Sequence, residues 1–520
     1  MSAQQYTLEQ FNEWKYLLIS GKKTDQEKAI VNMRKASSQE ENPPLNLFIK
    51  SGVIPLLMEY HIGKSLTEKI KLDILWILTN LASGSSDETM YVVNMKGVAF
   101  FLEFCQDPSE DVFGQALWGV SNLAGESPEI RDSVLEQNGM GITLDIYNKH
   151  KTTLSLQTKQ TIAWAVNNLC RFRPPPNFEK IRPCFPYLLE SLITQPNREI
   201  INDNLWACAF ITSISDEAIK AFVKYENLFS VIVAIFKDPV LEKAFRNPLL
   251  RTIGNIVSCQ SDEITEEFLN HNLLEKISSY LLDDKEKVNI KKEACYIFSN
   301  VAAGLPNQID RLVSAPGIVD SVNLMLKGDI DVCVKIEALW MICNVVAHGE
   351  DKHKRIMGKK NCYYYALKGL KKYHEKTMYP LLFGLFKLLQ FYITSDYVDP
   401  EMGALIEELY DVNQPLKRKL LRFYTRTTQL NEILKDILEM VKKNRDSLFK
   451  KMEALPISQQ QLQSQLQKEA EQVQQQQLQQ EQLQKQQLYE QQLYHQQLQQ
   501  QHIQMQQQPQ YSDLSQQKQF

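Results

Sequence analysis

Three stretches decide the fold: Leu72–Asn80, LDILWILTN; Gly114–Asn122, GQALWGVSN; and Gln160–Asn168, QTIAWAVNN. Each is an apolar helical run carrying Trp and, four residues later, Asn. KEACYIFSN (292–300) and IEALWMICN (336–344) repeat the frame, and NDNLWACAF (202–210) and NPLLRTIGN (247–255) repeat it with one key position changed. The frame residues are Trp76, Trp118, Trp164, Trp206, Arg251, Tyr296 and Trp340, separated by 42, 46, 42, 45, 45 and 44 residues. A helical period of about 40–47 is the armadillo/HEAT signature. Weaker units flank the series: QEKAIVNMRKAS before it, YPLLFGLFKLLQF and KRKLLRFYTR after it.

Punctuation within one period is regular. LDILWILTNLAS is followed by GSSDET, and then YVVNMKGVAFFLEFC reads as two helices broken at Gly97. Gly, Ser, Asp and Glu at these junctions are stop and N-cap chemistry. Each unit is thus about three short helices, too small to bury its own apolar face, so units must stack into a solenoid. The expected fold is all-α: an armadillo-repeat, right-handed superhelical solenoid with a disordered Gln-rich C-terminal tail. Residues 1–24 form a short leading segment, 25–350 the repeats with a peptide groove, 351–457 divergent helical repeats and 458–520 the tail. The tail leucines recur every five residues, which cannot make one helical stripe. Transient helix is the alternative to disorder there.

The 520 residues include 58 basic and 62 acidic side chains, a formal net charge of −4. That balance lacks the basic surplus of a nucleic-acid coat. Nine cysteines without a CxxC pair fit neither a disulfide scaffold nor a zinc ribbon. The N-terminus has no apolar signal core, and no apolar run approaches the roughly 18–20 residues of a membrane helix. Gly63-Lys64-Ser65 echoes a phosphate loop, but Met58 stands where its first Gly belongs. With the metalloprotease, nucleophile-elbow and dinucleotide motifs also absent, no enzyme, cofactor or metal is expected.

Aromatic and Asn at i and i+4 share one helix face. Asn80, Asn122, Asn168, Asn255, Asn300 and Asn344 recur at one frame position, and Asn is costly to bury without partners. The reading is a ladder of exposed amides for a peptide backbone, with indoles flanking slots for Lys or Arg stems. Asp73, Asp203, Glu293 and Glu337 lie three residues before the aromatic position; Glu199 and Glu126 lie one turn to either side of the ladder. Acids beside such a ladder point to a cationic, extended ligand.

These residues resemble importin-α, the karyopherin adaptor for nuclear localisation signals, across roughly residues 25–350. TNLASGSSDET, GVSNLAGESPEIRDSVLEQ, NNLCRFRPPPNFEKIRPCFP and IGNIVS are similar to its repeats in order. The resemblance implies an adaptor that holds Lys/Arg-rich signals of cargo proteins for import into the nucleus and shuttles between cytoplasm and nucleus. It implies a major site of Trp76, Asn80, Trp118, Asn122, Trp164 and Asn168, joined by Glu199, Asp203 and Trp206. Gly84, Thr89 and Glu126 fall on its lysine-selective pocket, where the family usually has Asp at the Glu126 position. The implied minor site is Arg251, Asn255, Glu293, Tyr296, Asn300, Glu337, Trp340 and Asn344. It is weakened, with Tyr296 in place of Trp; between the sites Phe210 and Ser213 stand for Tyr and Asp. Only Lys15, Lys22 and Lys23 precede the first repeat, without the basic importin-β-binding cluster. The expectation is no autoinhibition and no usual importin-β attachment; a truncated sequence would read the same way. The alternative function is an armadillo scaffold, or a transport inhibitor that does not deliver cargo through importin-β. No membrane or direct nucleic-acid partner is expected. The basic cluster Lys417, Arg418, Lys419, Arg422 and Arg426 reads as a solvated face or an auxiliary patch.

Overall fold

The structure, a computed structural model, describes residues 6–368, 375–396, 398–411, 414, 416–418, 420 and 428–453. Every regular element among them is helical. By contact they fall into two units, one within Met1–Thr394 and Asp399–Lys443 and one within Ser395–Val398 and Asn444–Phe520. The Gln-rich tail lies outside the described residues. So do Lys419, Arg422 and Arg426 of the basic cluster.

The frame sequences form the spine of the larger unit. They are α1 (Lys23–Ser37), α2 (Glu68–Ala82), α3 (Glu110–Ala124), α4 (Leu156–Cys170), α5 (Arg198–Ile211), α6 (Pro239–Val257), α7 (Val288–Val301), α8 (Val332–His348) and α9 (Glu375–Thr394). Each packs on the next, from α1 against α2 through to α8 against α9. This is an armadillo-like solenoid, and its stacking runs past residue 350.

The reason is hydrophobic. In α2, Ile70, Ile74, Leu75, Ile77, Leu78 and Leu81 are all buried, against both flanking neighbours and the rest of their own unit. Burying such side chains contributes about 1.5–3 kcal/mol each, available only when a neighbour covers them. The segment ahead of α1 follows suit: Leu8–Ser20 is a helix whose Phe11, Trp14 and Leu18 are buried, with Phe48 packed edge-on to Phe11.

Two more helices complete each unit, as after α3: Pro128–Glu136, capped by the Ser127 hydroxyl on the Ile130 N–H, and Gly139–His150. Between them Asn138 is left-handed. The same corner recurs at Gly52, Lys96, Glu226, Asn272, Gly317 and Asn361, so the repeat period is written in the backbone dihedrals. The break expected at Gly97 is therefore made by Lys96, with φ 65°; Gly97 opens the next helix. Gly97 is needed there for space, since a Cβ would lie 2.5 Å from Val92 Cγ1.

α3 packs tightly on the preceding helix Gly97–Phe104 at Gly119, where a Cβ would sit 2.2 Å from the buried ring of Phe101. Gly119→Ala should therefore destabilise, by about 1–3 kcal/mol of overpacking that outweighs alanine's helix propensity of about 1 kcal/mol. A lowered urea midpoint measures it.

Candidate peptide groove

Trp76 and Trp118 are 43% and 41% exposed, although they stand in otherwise buried helices. Trp164, Trp206, Tyr296 and Trp340 are half-buried at the equivalent positions. A cleft of about 370 Å³ lies between Trp76 and Trp118, and one of about 570 Å³ between Trp118 and Trp164. Trp206 shares a cleft with Arg251, and Arg251 shares another with Tyr296. Trp206 carries a second ring, that of Phe210, stacked at 5.8 Å.

The asparagines are not free amides. Asn80 donates to the Ser37 carbonyl (2.9 Å), Asn122 to Thr79 (3.2 Å) and Asn168 to Ser121 (3.0 Å). Asn255 donates to Ala209 and Asn344 to Ser299, both at 2.9 Å. In every case the acceptor sits one residue before the Asn frame position of the preceding spine helix, so the side chain clips each repeat to the last. Asn300 differs and donates to Tyr296 in its own helix. The expectation of a ladder of exposed, unspent amides is corrected: each of these amides already spends an N–H on the fold, and Asn168 and Asn255 are buried. Asn168, 2% exposed, is mostly structural.

The same clipping logic explains the acids. The acceptor register places Arg34 of α1 at the aromatic position, 42 residues before Trp76. Arg34 Nε lies 3.0 Å from Asp73, and its guanidinium carbon 5.9 Å from the Trp76 ring. Arg251, also at an aromatic position, pairs with Glu293 at 2.6 Å. An acid three residues before one aromatic position therefore faces the aromatic position of the preceding helix. Where that position is Arg, the chain neutralises its own acid. Burial pushes the Asp73 carboxyl up, against the pull of Arg34.

Asp203 and Glu337 face Trp164 and Tyr296 instead, and neither has an ion pair among the described residues. Burial raises the Asp203 carboxyl to about 6, with Glu199 pushing the same way, while the amides of Asn167 (3.2 Å) and Asn202 stabilise the charged form. Glu337 is likewise raised by burial. Glu199 is exposed and accepts a hydrogen bond from Gln160. The cleft between Trp118 and Trp164 is lined by Gln157, Gln160, Arg198, Glu199, Asp203 and Phe245, and Arg198 makes no ion pair with either acid. Gln160 was legible but missed: it lies one turn before Trp164.

Other expected residues are placed less favourably. Thr89 is fully buried, its hydroxyl donating to the Ala82 carbonyl at 3.3 Å. Gly84 lies against Glu88, whose carboxylate receives the Ser85 N–H and hydroxyl at 2.7 and 2.9 Å. Glu126 accepts from the Ser86 hydroxyl. Around Tyr296 the cleft is lined by Arg173, Arg251 and Lys292 as well as Asp216 and Glu337, so this half of the ladder is more cationic than the acids alone implied.

Comparison with known proteins follows the geometry. The chain is 34% identical to importin subunit alpha-1b of rice (Oryza sativa subsp. japonica), over 52% of this chain and 48% of that protein. It is 33% identical to rice importin subunit alpha-1a, over 57% and 54%. The chain is thus similar in sequence to importin α subunits. It spans about half the length of these curated relatives. No family model matches. The crystal structure of an engineered protein aligns with a TM-score of 0.68 at 18% identity, over 83% of this chain and 99% of that one, which supports the fold alone. No helix among the described residues is long and apolar enough to cross a membrane.

Asn168→Leu should cost about 0.5–1.5 kcal/mol by removing the amide's bond to the Ser121 carbonyl, which keeps its bond from the Gly125 N–H at 3.0 Å. Asn168→Asp should cost at least as much, because it sets a carboxylate against that carbonyl. Urea unfolding of the variants reads both.

Proposed function

We propose that the cleft series holds an extended Lys/Arg-rich peptide, of the kind that serves as a nuclear localisation signal, and that the chain works as an import adaptor moving between cytoplasm and nucleus. The observation that carries this is the internal pair Arg34–Asp73 beside Trp76. The chain itself seats a guanidinium between indole and carboxylate, and beside Trp164 the Asp203 carboxylate has no ion pair among the described residues. A ligand Lys or Arg supplies the cation there, with cation–π attraction of about 0.5–2 kcal/mol added to the charge pairing. The amide oxygens of the half-buried Asn80 and Asn122 are then available to backbone N–H groups of the ligand. The similarity to importin α subunits supports the same reading. Importin-β, the family's transport receptor, belongs to the proposal as a possible partner of the whole protein.

The strongest position on this reading is the Trp118–Trp164 cleft with Glu199 and Asp203. The Arg173, Arg251 and Lys292 side chains beside Tyr296 make that second position weaker for a basic ligand.

A fluorescence-anisotropy titration with a short Lys-rich peptide tests this. Tight binding should fall at least about tenfold in Trp118→Ala, in keeping with loss of a buried anchor. Absence of binding by the folded chain would instead favour an armadillo scaffold.

A second test uses pH. Asp203 must be charged to hold a cation, and its raised pKa means it takes up a proton as pH falls through about 6. Peptide affinity should therefore weaken about fourfold between pH 7 and 5.5 by linkage. Asp203→Asn should bind less tightly at pH 7 and lose most of that dependence.

A further inference from the structure

The ladder does not end at Trp340. Phe383 on α9 follows it by 43 residues, within the repeat period. Pro380-Leu381-Leu382 leads into Phe383 as Pro248-Leu249-Leu250 leads into Arg251. Gly384 follows Phe383 as Gly119 follows Trp118, and both glycines exist for the same reason. A Cβ on Gly384 would lie 2.1 Å from the hydroxyl of the buried Tyr363, as one on Gly119 would strike Phe101. Three independent coincidences of register place Phe383 at the aromatic position and Lys387 at the Asn position.

The chemistry of this last unit is reversed. Pro380 stands where four of the seven other units carry an acid (Asp73, Asp203, Glu293 and Glu337), so α9 places no carboxylate at that position against the Trp340 slot. Lys387 stands where six of those seven carry Asn and the seventh Phe210. Lys387 is exposed, its ammonium is 5.5 Å from the Phe383 ring, and it makes no ion pair among the described residues. Arg251, in the other proline-led unit, is by contrast consumed by Glu293. One turn before Phe383, the exposed Tyr379 lies nearly parallel to it, with centroids 6.0 Å apart and planes at 10°. The result is an aromatic shelf with one unspent cation at its far edge.

We propose that the slot between Trp340 and Phe383 takes a carboxylate-bearing residue, Asp or Glu, of the same peptide whose basic residues occupy the earlier slots. This rests on the peptide-groove reading above. The aromatic shelf supports the residue's stem, and the Lys387 ammonium pairs with its carboxylate. Neighbouring spine helices lie about 8–10 Å apart and an extended chain rises about 3.3 Å per residue, so each slot spans two to three ligand residues. The slot, between α8 and α9, is five helix steps beyond the Trp118–Trp164 cleft between α3 and α4, which sets the acid about twelve to fifteen residues from the main basic anchor. The groove then selects a charge pattern rather than basicity alone.

The test is a titration of the full chain with three peptides of about thirty residues, long enough for that span on either side of a central core. All share a Lys-rich core at the centre, and they carry Glu-Glu at one end, Glu-Glu at the other, or Gln-Gln at both. One Glu-Glu peptide should bind about two- to fivefold more tightly than the Gln-Gln peptide, the range of an exposed ion pair, and the gain should shrink with salt. Which end it is fixes the direction of the chain in the groove. Lys387→Glu, a surface change, should abolish that gain and give it instead to a peptide ending in Lys-Lys. Phe383→Ala, measured alongside, should reduce the gain while the Gln-Gln peptide still binds. If the core binds tightly but neither acidic end matters, or if the gain survives Lys387→Glu, this inference is overturned and the groove reading stands. If the core does not bind, both fall.

Discussion

The side-chain amide that reaches from one spine helix to a carbonyl of the previous one is the contact on which the remaining geometry depends. Packing of apolar faces alone is tolerant of small slides between helices. A hydrogen bond from Asn122 to Thr79, repeated from Asn168 to Ser121 and from Asn344 to Ser299, is not. Each net bond is worth only about 1 kcal/mol, but it recurs along the spine, so register errors are penalised at every step. Fixed register is what sets the Asp203 carboxyl against the Trp164 unit and Glu337 against that of Tyr296. Without it the clefts would still exist, but acids and aromatics would not meet in them.

The period, the helical class and the position of each aromatic could be read from residue spacing, because a repeat exposes the same physics several times over. Spacing also named the acids, but it could not give their state. Spacing along one helix cannot show that Arg34, forty residues earlier, already occupies the place beside Asp73. The role of the asparagines was half legible. That they needed partners was sound, but the partner is another repeat's carbonyl as much as any ligand. Thr89 illustrates the limit of resemblance: its place in the frame is right, and its hydroxyl is nevertheless enclosed. The corner at Lys96 was missed because a left-handed lysine carries no local signature, whereas the adjacent glycine does.

The units that depart from the frame are informative in the same way. Arg34, Arg251 and Lys387 are basic residues on the ladder face, and two of the three are held by an acid of the next helix. The groove is therefore not uniformly acidic. It alternates between positions the chain has neutralised and positions it has left open, and that alternation sets where a ligand's own charges gain most.

Arg131 has a wider effect than its place suggests. It is completely buried in the Pro128–Glu136 helix, off the ladder, and its guanidinium donates to the carbonyls of Arg171 and, at 3.0 Å, Pro174. Those two acceptors bracket the turn that carries Phe172 and Arg173 to the clefts shared with Trp206 and Arg251. The electrostatic character of the middle of the groove is thus tethered to a residue that never sees solvent. Inherited variation at Arg131 would act as a remote control on ligand preference, invisible to any survey confined to the groove surface.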